Sequence, residues 1–310
     1  MAVLITGGSG LVGLELGRTM ARKGRKVILF DVVPPEKGDT GGATFVKGNI
    51  ADWPEVLNAV RDGKVTRIFH LAAMLSAQCE ANPWAAMQVN ASGMYNILEA
   101  SRLFGVKQVV FASSQGIFGA GIPDGVAYDD TPPKPRIIYG VTKIFGEHLG
   151  RYYQNKFGLD FRGVRYAQVM GVGIKSQGYS QFYPRMIESA IKGIHFEVQV
   201  PEDTSVPLIY VKDAVRFLIE LSEANEDRIK TRVYNGGQIL PAPSAGDLAK
   251  EVKRQIPGAQ ITFKPDQAAI NGIAGLPRLL DDAGARTEWN WSFRYGLKEM
   301  VEDFIKESRS

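Results

Sequence analysis

Tyr139 and Lys143 stand four residues apart in the stretch YGVTK. On a helix that spacing puts both side chains on one face, about one turn from each other. A phenol titrates near 10 in water, and holding it as a base near pH 7 requires about 4 kcal/mol of stabilisation of the anion. A neighbouring ammonium favours the phenolate, so the pair could transfer a proton where a lone tyrosine could not. Ser113 and Ser114 end the apolar run KQVVFASS a short way upstream, placing hydroxyls at a strand end. The Y-x-x-x-K spacing alone is common on protein surfaces, so its meaning depends on what surrounds it.

The surroundings begin at the amino end, where AVLIT (2–6) reads as a short buried strand and LVGLELGRTMARKG (11–24) as a helix. Between them TGGSGLVG sets Gly7, Gly10 and Gly13 in a G-x-x-G-x-x-G pattern. A glycine inside such elements is worth roughly 0.5–1 kcal/mol less than alanine, so something offsets three of them. A tight turn, close passage of a pyrophosphate and tight helix-on-sheet packing would do so, with the helix N-terminus favouring the phosphate charge. Asp31 ends the next strand, KVILFD (26–31). A carboxylate there hydrogen-bonds a ribose 2′-hydroxyl and repels a 2′-phosphate, and no arginine follows it immediately, which predicts NAD rather than NADP. The positive ring of a bound nicotinamide would then join Lys143 in favouring a Tyr139 phenolate.

Strand-like runs and helical periods alternate further on: ATFVKGN (43–49), then WPEVLNAV with Asp52 as N-cap and Pro54 in its first turn, then RIFHLAA (67–73). A long helix is expected from Asn82-Pro83 through Phe104, a strand over 107–114, a helix over 139–157 and a strand at FRGVRY (161–166). That alternation predicts an α/β fold with a doubly wound parallel (Rossmann) sheet. After Tyr166 the regularity weakens. QFYPRMIESAIKG (181–193) reads as a helix, LIYVKDAVRFLIELSE (208–223) as a strand end running into a helix, and RVYNGG (232–237) as a strand. Amphipathic helices then alternate with one strand, AQITFKP. The expected division gives 1–166 and 206–236 to an NAD-binding Rossmann domain, and 167–205 and 237–310 to a smaller, interleaved C-terminal α/β substrate lobe.

Composition narrows the function classes. The 310 residues are 45% hydrophobic and 23% charged, with a net charge of +4, an ordinary soluble balance that gives no reason to expect nucleic acid or a membrane as partner. The single cysteine, Cys79, excludes an internal disulfide and suits a reducing compartment. MAVLIT runs straight into the glycine turn without a basic and apolar leader, and no apolar run is long enough to span a bilayer, so a cytoplasmic protein is expected. His70, His148 and His195 lie far apart without ligand spacing, so no metal site is expected. GVGIKSQG (171–178) lacks the Gly-Lys-Ser/Thr ending of a phosphate loop and reads as part of a substrate segment over 167–183. The aromatic EWNWSFRY (288–295) reads as packing of the second lobe rather than a base-stacking surface.

TGGSGLVG, HLAA (70–73), NPWAAMQVN ending at Asn90, SSQGIFG (113–119) and YGVTK together resemble the extended short-chain dehydrogenase/reductases over nearly the whole chain. This is the NAD-dependent superfamily of nucleotide-sugar epimerases and dehydratases. The resemblance implies Tyr139 as the acid/base and Lys143 as the group that holds the nicotinamide ribose and lowers the tyrosine. It implies Ser114 as the substrate-oxygen partner, counted back from Phe118 at the family's usual tyrosine position. It implies cofactor contacts from Gly7, Gly10, Leu11, Val12, Gly13 and Asp31. Asn49 and Ile50 fall at the adenine contact, and Leu71, Ala72, Ala73, Asn90, Tyr139, Lys143 and Tyr166 complete the cofactor set.

HLAAMLSAQCEANP, the helix at 139–157 and PLIYVKDA are most similar to the L-threonine 3-dehydrogenase branch, whose substrate-side serine matches Ser76. Nucleotide-sugar enzymes typically carry an arginine just before the IYV strand; here Val206 and Pro207 stand there, without the charge-assisted bonds a diphosphate needs. The chain departs from the threonine branch too: Ala167 replaces a proline, and a Thr-Thr-Asp-Tyr cluster is absent. Gln115 stands where a small or aliphatic residue is usual, and so joins Ser76, Ser114 and Tyr139 as an expected substrate contact. The expectation is an NAD-dependent oxidoreductase acting on a small polar hydroxyl compound, L-threonine-like or a hydroxy acid. The alternative is a nucleotide-sugar epimerase or dehydratase with tightly bound NAD; a redox-inert NAD-binding regulator would have no need of all three reactive residues. The resemblance further implies a homodimer built from the helices at 82–104 and 139–157.

Overall fold

The computed structural model describes residues 2–36, 40–119, 121–174 and 181–309, so the expected substrate segment over 167–183 is described only in part. The chain runs β1 (Ala2–Thr6), α1 (Leu11–Arg22), β2 (Lys26–Asp31), β3 (Thr44–Lys47), α2 (Trp53–Gly63), β4 (Val65–His70), α3 (Ser76–Ala81) and α4 (Pro83–Ala86). It continues through α5 (Gly93–Leu103), β5 (Gln108–Ser114), β6 (Val126–Ala127), α6 (Ile138–Phe157), β7 (Asp160–Tyr166), β8 (Gln168–Met170), α7 (Phe182–Ile191) and β9 (Phe196–Val198). The last elements are β10 (Leu208–Tyr210), α8 (Val211–Glu223), β11 (Val233–Asn235), α9 (Ala245–Gln255), β12 (Ile261–Phe263), α10 (Gln267–Ile273), β13 (Leu279–Leu280), α11 (Ala283–Trp289) and α12 (Leu297–Ser308).

Seven parallel strands form the main sheet in the order β11-β7-β5-β4-β1-β2-β3. The chain first winds outward from β1 to β3, then crosses to β4 and winds the other way. The reversal lies between β1 and β4, and the crevice outside the carboxyl ends there is where such sheets take ligands. Register brings those ends together: Thr6 pairs with both Phe30 and His70, and Ser114 pairs with Tyr166. Strand alternation fills both faces. Val3 and Ile5 pack with Leu16, Met20 and Phe217 of α1 and α8, while Leu4 packs on the other side with Val56 and Val60 of α2 and Ile97 of α5.

Local chemistry starts the helices where the sequence places them. Asp52 caps α2 by accepting from the Glu55 N–H at 2.9 Å, with Pro54 in the first turn. The expected long helix over 82–104 forms as one continuous run of α4, a π-helical turn over Met87–Ser92, and α5; α3 precedes it without an anticipated signal. The wide turn buries Asn90.

A second core joins Met170, Tyr183, Leu208, Tyr210, Leu248 and Phe304 of the smaller lobe. Packing cuts across the expected domain boundaries in two places. The strand Leu208–Tyr210, expected with the Rossmann domain, pairs with Gln168–Met170 outside the large sheet and buries its ends in the second core. Conversely Leu280, Ala285, Trp289 and Trp291, expected in the substrate lobe, pack into the first core against Phe217.

Candidate active site

The β1–α1 turn explains its glycines by geometry. Gly7 has φ +68°, and a Cβ there would lie 2.8 Å from the Ala72 nitrogen. A Cβ on Gly13 would lie 2.1 Å from the Gly7 carbonyl oxygen, so only glycine lets the helix start against the turn. Gly10 differs: a Cβ would approach only the Gly7 oxygen, at 3.2 Å, and the space beyond is open. No side chain caps α1 and no acid stands in its first turn, so the amides of Leu11 and Val12 are left for an outside acceptor. An open face over glycine, at an uncapped helix N-terminus on the switch point, fits a dinucleotide pyrophosphate.

The flanks of this cradle are fixed from within. Asp31 accepts from the Ser9 N–H at 3.1 Å and the Val33 N–H at 3.3 Å, which pins a half-buried carboxylate at the end of β2 where a ribose diol would lie. The Leu71 and Ala72 amides donate to Thr6 Oγ1 at 3.2 and 3.3 Å, tying the segment after β4, which continues to Ala73, onto β1. Asn49 accepts from the Ala51 N–H through its side-chain oxygen, leaving its NH2 to meet a base. The Ile50 side chain is buried against Gly93, and its carbonyl accepts from Asn96.

Two expected cofactor residues are engaged elsewhere. Asn90 accepts from the Met74 N–H at 2.8 Å and donates to the Met74 carbonyl and to Thr142 Oγ1, both at 3.1 Å. Both ends of its amide are taken, so its side chain clips the segment before α3 to α6. The Tyr166 hydroxyl donates to the Ala214 carbonyl at 2.7 Å inside the core. These bonds hold both side chains within the protein, a feature that a motif position does not reveal.

On α6, Tyr139 occupies the first turn, and the Ile138 N–H donates to Glu80 Oε1 of α3 at 2.9 Å. The turn after β5 presses directly on it. A Cβ on Gly140 would lie 2.2 Å from the Gly116 carbonyl oxygen, and one on Gly116 would lie 3.4 Å from both Ser114 Oγ and Tyr139 Cδ1. This close approach sets the Tyr139 ring beside the Ser114 side chain. Ser114 Oγ also accepts from the Gly116 N–H at 3.0 Å.

Lys143 is buried one turn on, donating to the Ala112 carbonyl at 2.7 Å, with its Nζ 5.4 Å from the Tyr139 ring centroid and 4.9 Å from that of Phe111. The expected lowering of the phenol is absent from the protein's own groups. Burial pushes Tyr139 up to about 12, against a smaller opposing effect of the neighbouring Ser114 side chain. Burial likewise pushes Lys143 down to about 8. The reason is dielectric: both groups sit where either charge is poorly solvated, and the lysine points at a carbonyl rather than at the phenol oxygen.

On the substrate side, Ser76 is partly buried at the first position of α3, four residues and so one turn before Glu80. Gln115 is buried beside Ser114, and its Oε1 has no hydrogen-bond partner among the described residues. Gln181, at the start of α7, is buried with its Oε1 in the same condition. Gln181 lies within the expected substrate segment over 167–183 but is not singled out there, and residues 175–180 before it lie outside the described residues. Sequence reasoning passed over Glu147, although Glu147 falls four residues beyond Lys143 and the same spacing rule finds it. Among the described residues no cluster of side chains could hold a metal, and no helix is long and apolar enough to cross a membrane.

Compared with known families, residues 3–237 match the NAD dependent epimerase/dehydratase family. A mitochondrial L-threonine 3-dehydrogenase of Sus scrofa is 33% identical over 98% of this chain and 81% of that protein. Among solved structures, the holo form of a GalE-like L-threonine dehydrogenase from Cupriavidus necator superposes with a TM-score of 0.91, at 32% identity over 99% of this chain and all of that one. An L-threonine dehydrogenase from Phytophthora infestans gives a TM-score of 0.90 at 30% identity, with full coverage of both chains.

Proposed function

The chain belongs to the NAD dependent epimerase/dehydratase family and is an NAD-dependent oxidoreductase of hydroxyl substrates; from that premise we propose that it is a dehydrogenase of L-threonine or a closely similar small β-hydroxy acid. The observation that carries the reading is the approach of the Ser114 and Tyr139 side chains across Gly116, with Lys143 one turn on, at the sheet edge beside the uncapped start of α1. The substrate named in the relatives' descriptions, the position of Ser76, and the absence of a cation at Val206-Pro207 favour a small substrate over a nucleotide sugar.

In this reading Gly7, Gly10, Leu11, Val12, Gly13 and Asp31 hold the dinucleotide, and bound NAD supplies the hydride acceptor. Ser114 hydrogen-bonds the substrate oxygen and Tyr139 exchanges the proton on it. Below about pH 8 the pair stands as a neutral phenol beside an ammonium. That state donates a proton to a carbonyl oxygen in reduction. In oxidation the phenol must first lose its proton, and the ammonium compensates the anion that results. Ser76, Gln115 and Gln181 face the remainder of the substrate from α3, the turn after β5, and α7. The first lobe carries the coenzyme and the second closes the substrate side.

The working unit is a homodimer in the cytoplasm. Val141, Phe145 and Tyr152 form an exposed stripe along α6, and Trp84, Tyr95 and Leu103 are exposed on α4 and α5. Large apolar side chains massed on two adjacent helices fit a second copy of the same face. Light scattering is expected to give twice the 34.0 kDa chain mass, and Phe145→Asp to give the monomer.

The decisive assay supplies purified protein with NAD and L-threonine and follows NADH absorbance. Net NADH formation supports the dehydrogenase. Protein that retains stoichiometric NAD, yields no net NADH and interconverts a sugar nucleotide would overturn it.

A further inference from the structure

One turn beyond Lys143 on the same helix lies a buried carboxylate that takes no part in the proton and hydride transfers. Glu147 receives Arg165 Nη2 on Oε2 at 2.8 Å, Arg165 Nε on Oε1 at 3.0 Å, and the Ser113 hydroxyl on Oε1 at 2.5 Å. Ser113 and Arg165 are themselves a register pair of β5 and β7, so the carboxylate ties α6 to both strand ends. Ser113 is the neighbour of Ser114. Arg165 also donates to the Asp129 carbonyl at 2.7 Å and lies 5.6 Å over the Phe118 ring. Stability alone is a weak reason for such a pair, since well-packed apolar residues often replace a buried ion pair without loss.

We propose that Glu147 is a positioning residue for the reaction: the fixed counter-charge that keeps Lys143 an ammonium and, through Ser113, the anchor that holds Ser114 against Tyr139. This rests on the reading of Ser114, Tyr139 and Lys143 as the reacting set. The groups around Lys143 come from four elements: the Ala112 carbonyl and Phe111 ring on β5, Tyr139 on α6, His70 on β4 and Cys79 on α3. Burial pushes His70 down to about 3, so it is neutral near pH 7. Burial pushes the Cys79 thiol and the Tyr139 phenol up, so neither is an anion there. Among the described residues facing the ammonium, Glu147 alone then carries a negative charge, with Arg165 partly balancing it.

Carbon-13 lysine NMR on the full chain reads the effect directly, with the Lys143 resonance identified by its loss in Lys143→Met. Glu147→Gln is expected to lower the Lys143 midpoint by about one pH unit, and Arg165→Met to raise it. Opposite shifts are a signature that a purely structural role would not produce. Each single variant strands a buried charge and risks misfolding, so Glu147→Gln/Arg165→Met, neutral at both sites, is the folding-safe partner. Its midpoint is expected below wild type but above Glu147→Gln. An unchanged midpoint in the double variant overturns the proposal, as does a fall in both single variants. Turnover is read separately: if Lys143→Met keeps full activity, the reacting set is wrong whatever the titration gives, and the two failures are told apart.

Discussion

The coenzyme side of the molecule and the substrate side are held together in different ways. Around the cradle, strand ends are fixed by continuous parallel ladders, and β5 alone pairs with β7 over seven residues from Gln108 to Ser114. The glycine turn, Asp31, the Thr6–Leu71–Ala72 stitch and the Lys143–Ala112 bond are all anchored to this sheet. The smaller lobe instead rests on two short ladders, β8 with β10 and β9 with β12, of three residue pairs each. Two buried amides, Gln115 in the turn after β5 and Gln181 at the start of α7, end in oxygens without partners among the described residues. The difference separates two tasks. Reaction geometry demands fixed atoms, so it sits on the part that a long register locks. Substrate choice demands groups still available for bonding, which the proposed function gives to turns and a helix start outside that register.

Three substitutions test that separation, in falling order of effect. Tyr139→Phe removes the proton-transfer group while leaving the cradle intact. Turnover is expected to drop by about 10²–10⁴-fold with NAD affinity unchanged in calorimetric titration. Loss of NAD binding instead would show that the two sides are not separable. Gly13→Val forces carbon into the space held by the Gly7 carbonyl. A loss of about 1–3 kcal/mol in stability by chemical denaturation is expected, with NAD affinity falling alongside it. An unaltered affinity would mean the turn does not carry the dinucleotide. Gln115→Leu removes an unpartnered buried oxygen and should stabilise the protein by about 1 kcal/mol. It should also raise KM for the substrate without touching NAD binding. A KM that stays put would remove Gln115 from the substrate side.

Much of the site was legible because its signals are local. The glycine pattern, the acid ending the second strand, the four-residue spacing of Tyr139 and Lys143, and Asp52 before Pro54 each act within a few residues, where chain geometry and hydrogen-bonding chemistry leave few choices. Less legible were the partners that come from far along the chain. Asn90 and Tyr166 occupy positions that the motif assigns to the coenzyme, and only the structure shows their side chains bonded to Met74, Thr142 and Ala214. Leu208–Tyr210 reads as one more strand of the alternating pattern but pairs with Gln168–Met170, since an apolar run does not name its neighbour.

The sequence by itself determined that there is a dinucleotide turn, a parallel sheet behind it, and a tyrosine and lysine on one helix face, because each follows from short-range geometry. Only the tertiary structure decided their electrical state. A phenol near 12 and an ammonium near 8 arise from burial by strands and helices distant in the chain, and the Glu147–Arg165 pair forms only when α6 meets β7. Solvation is a property of the assembled surroundings, and no spacing of residues along a chain specifies it.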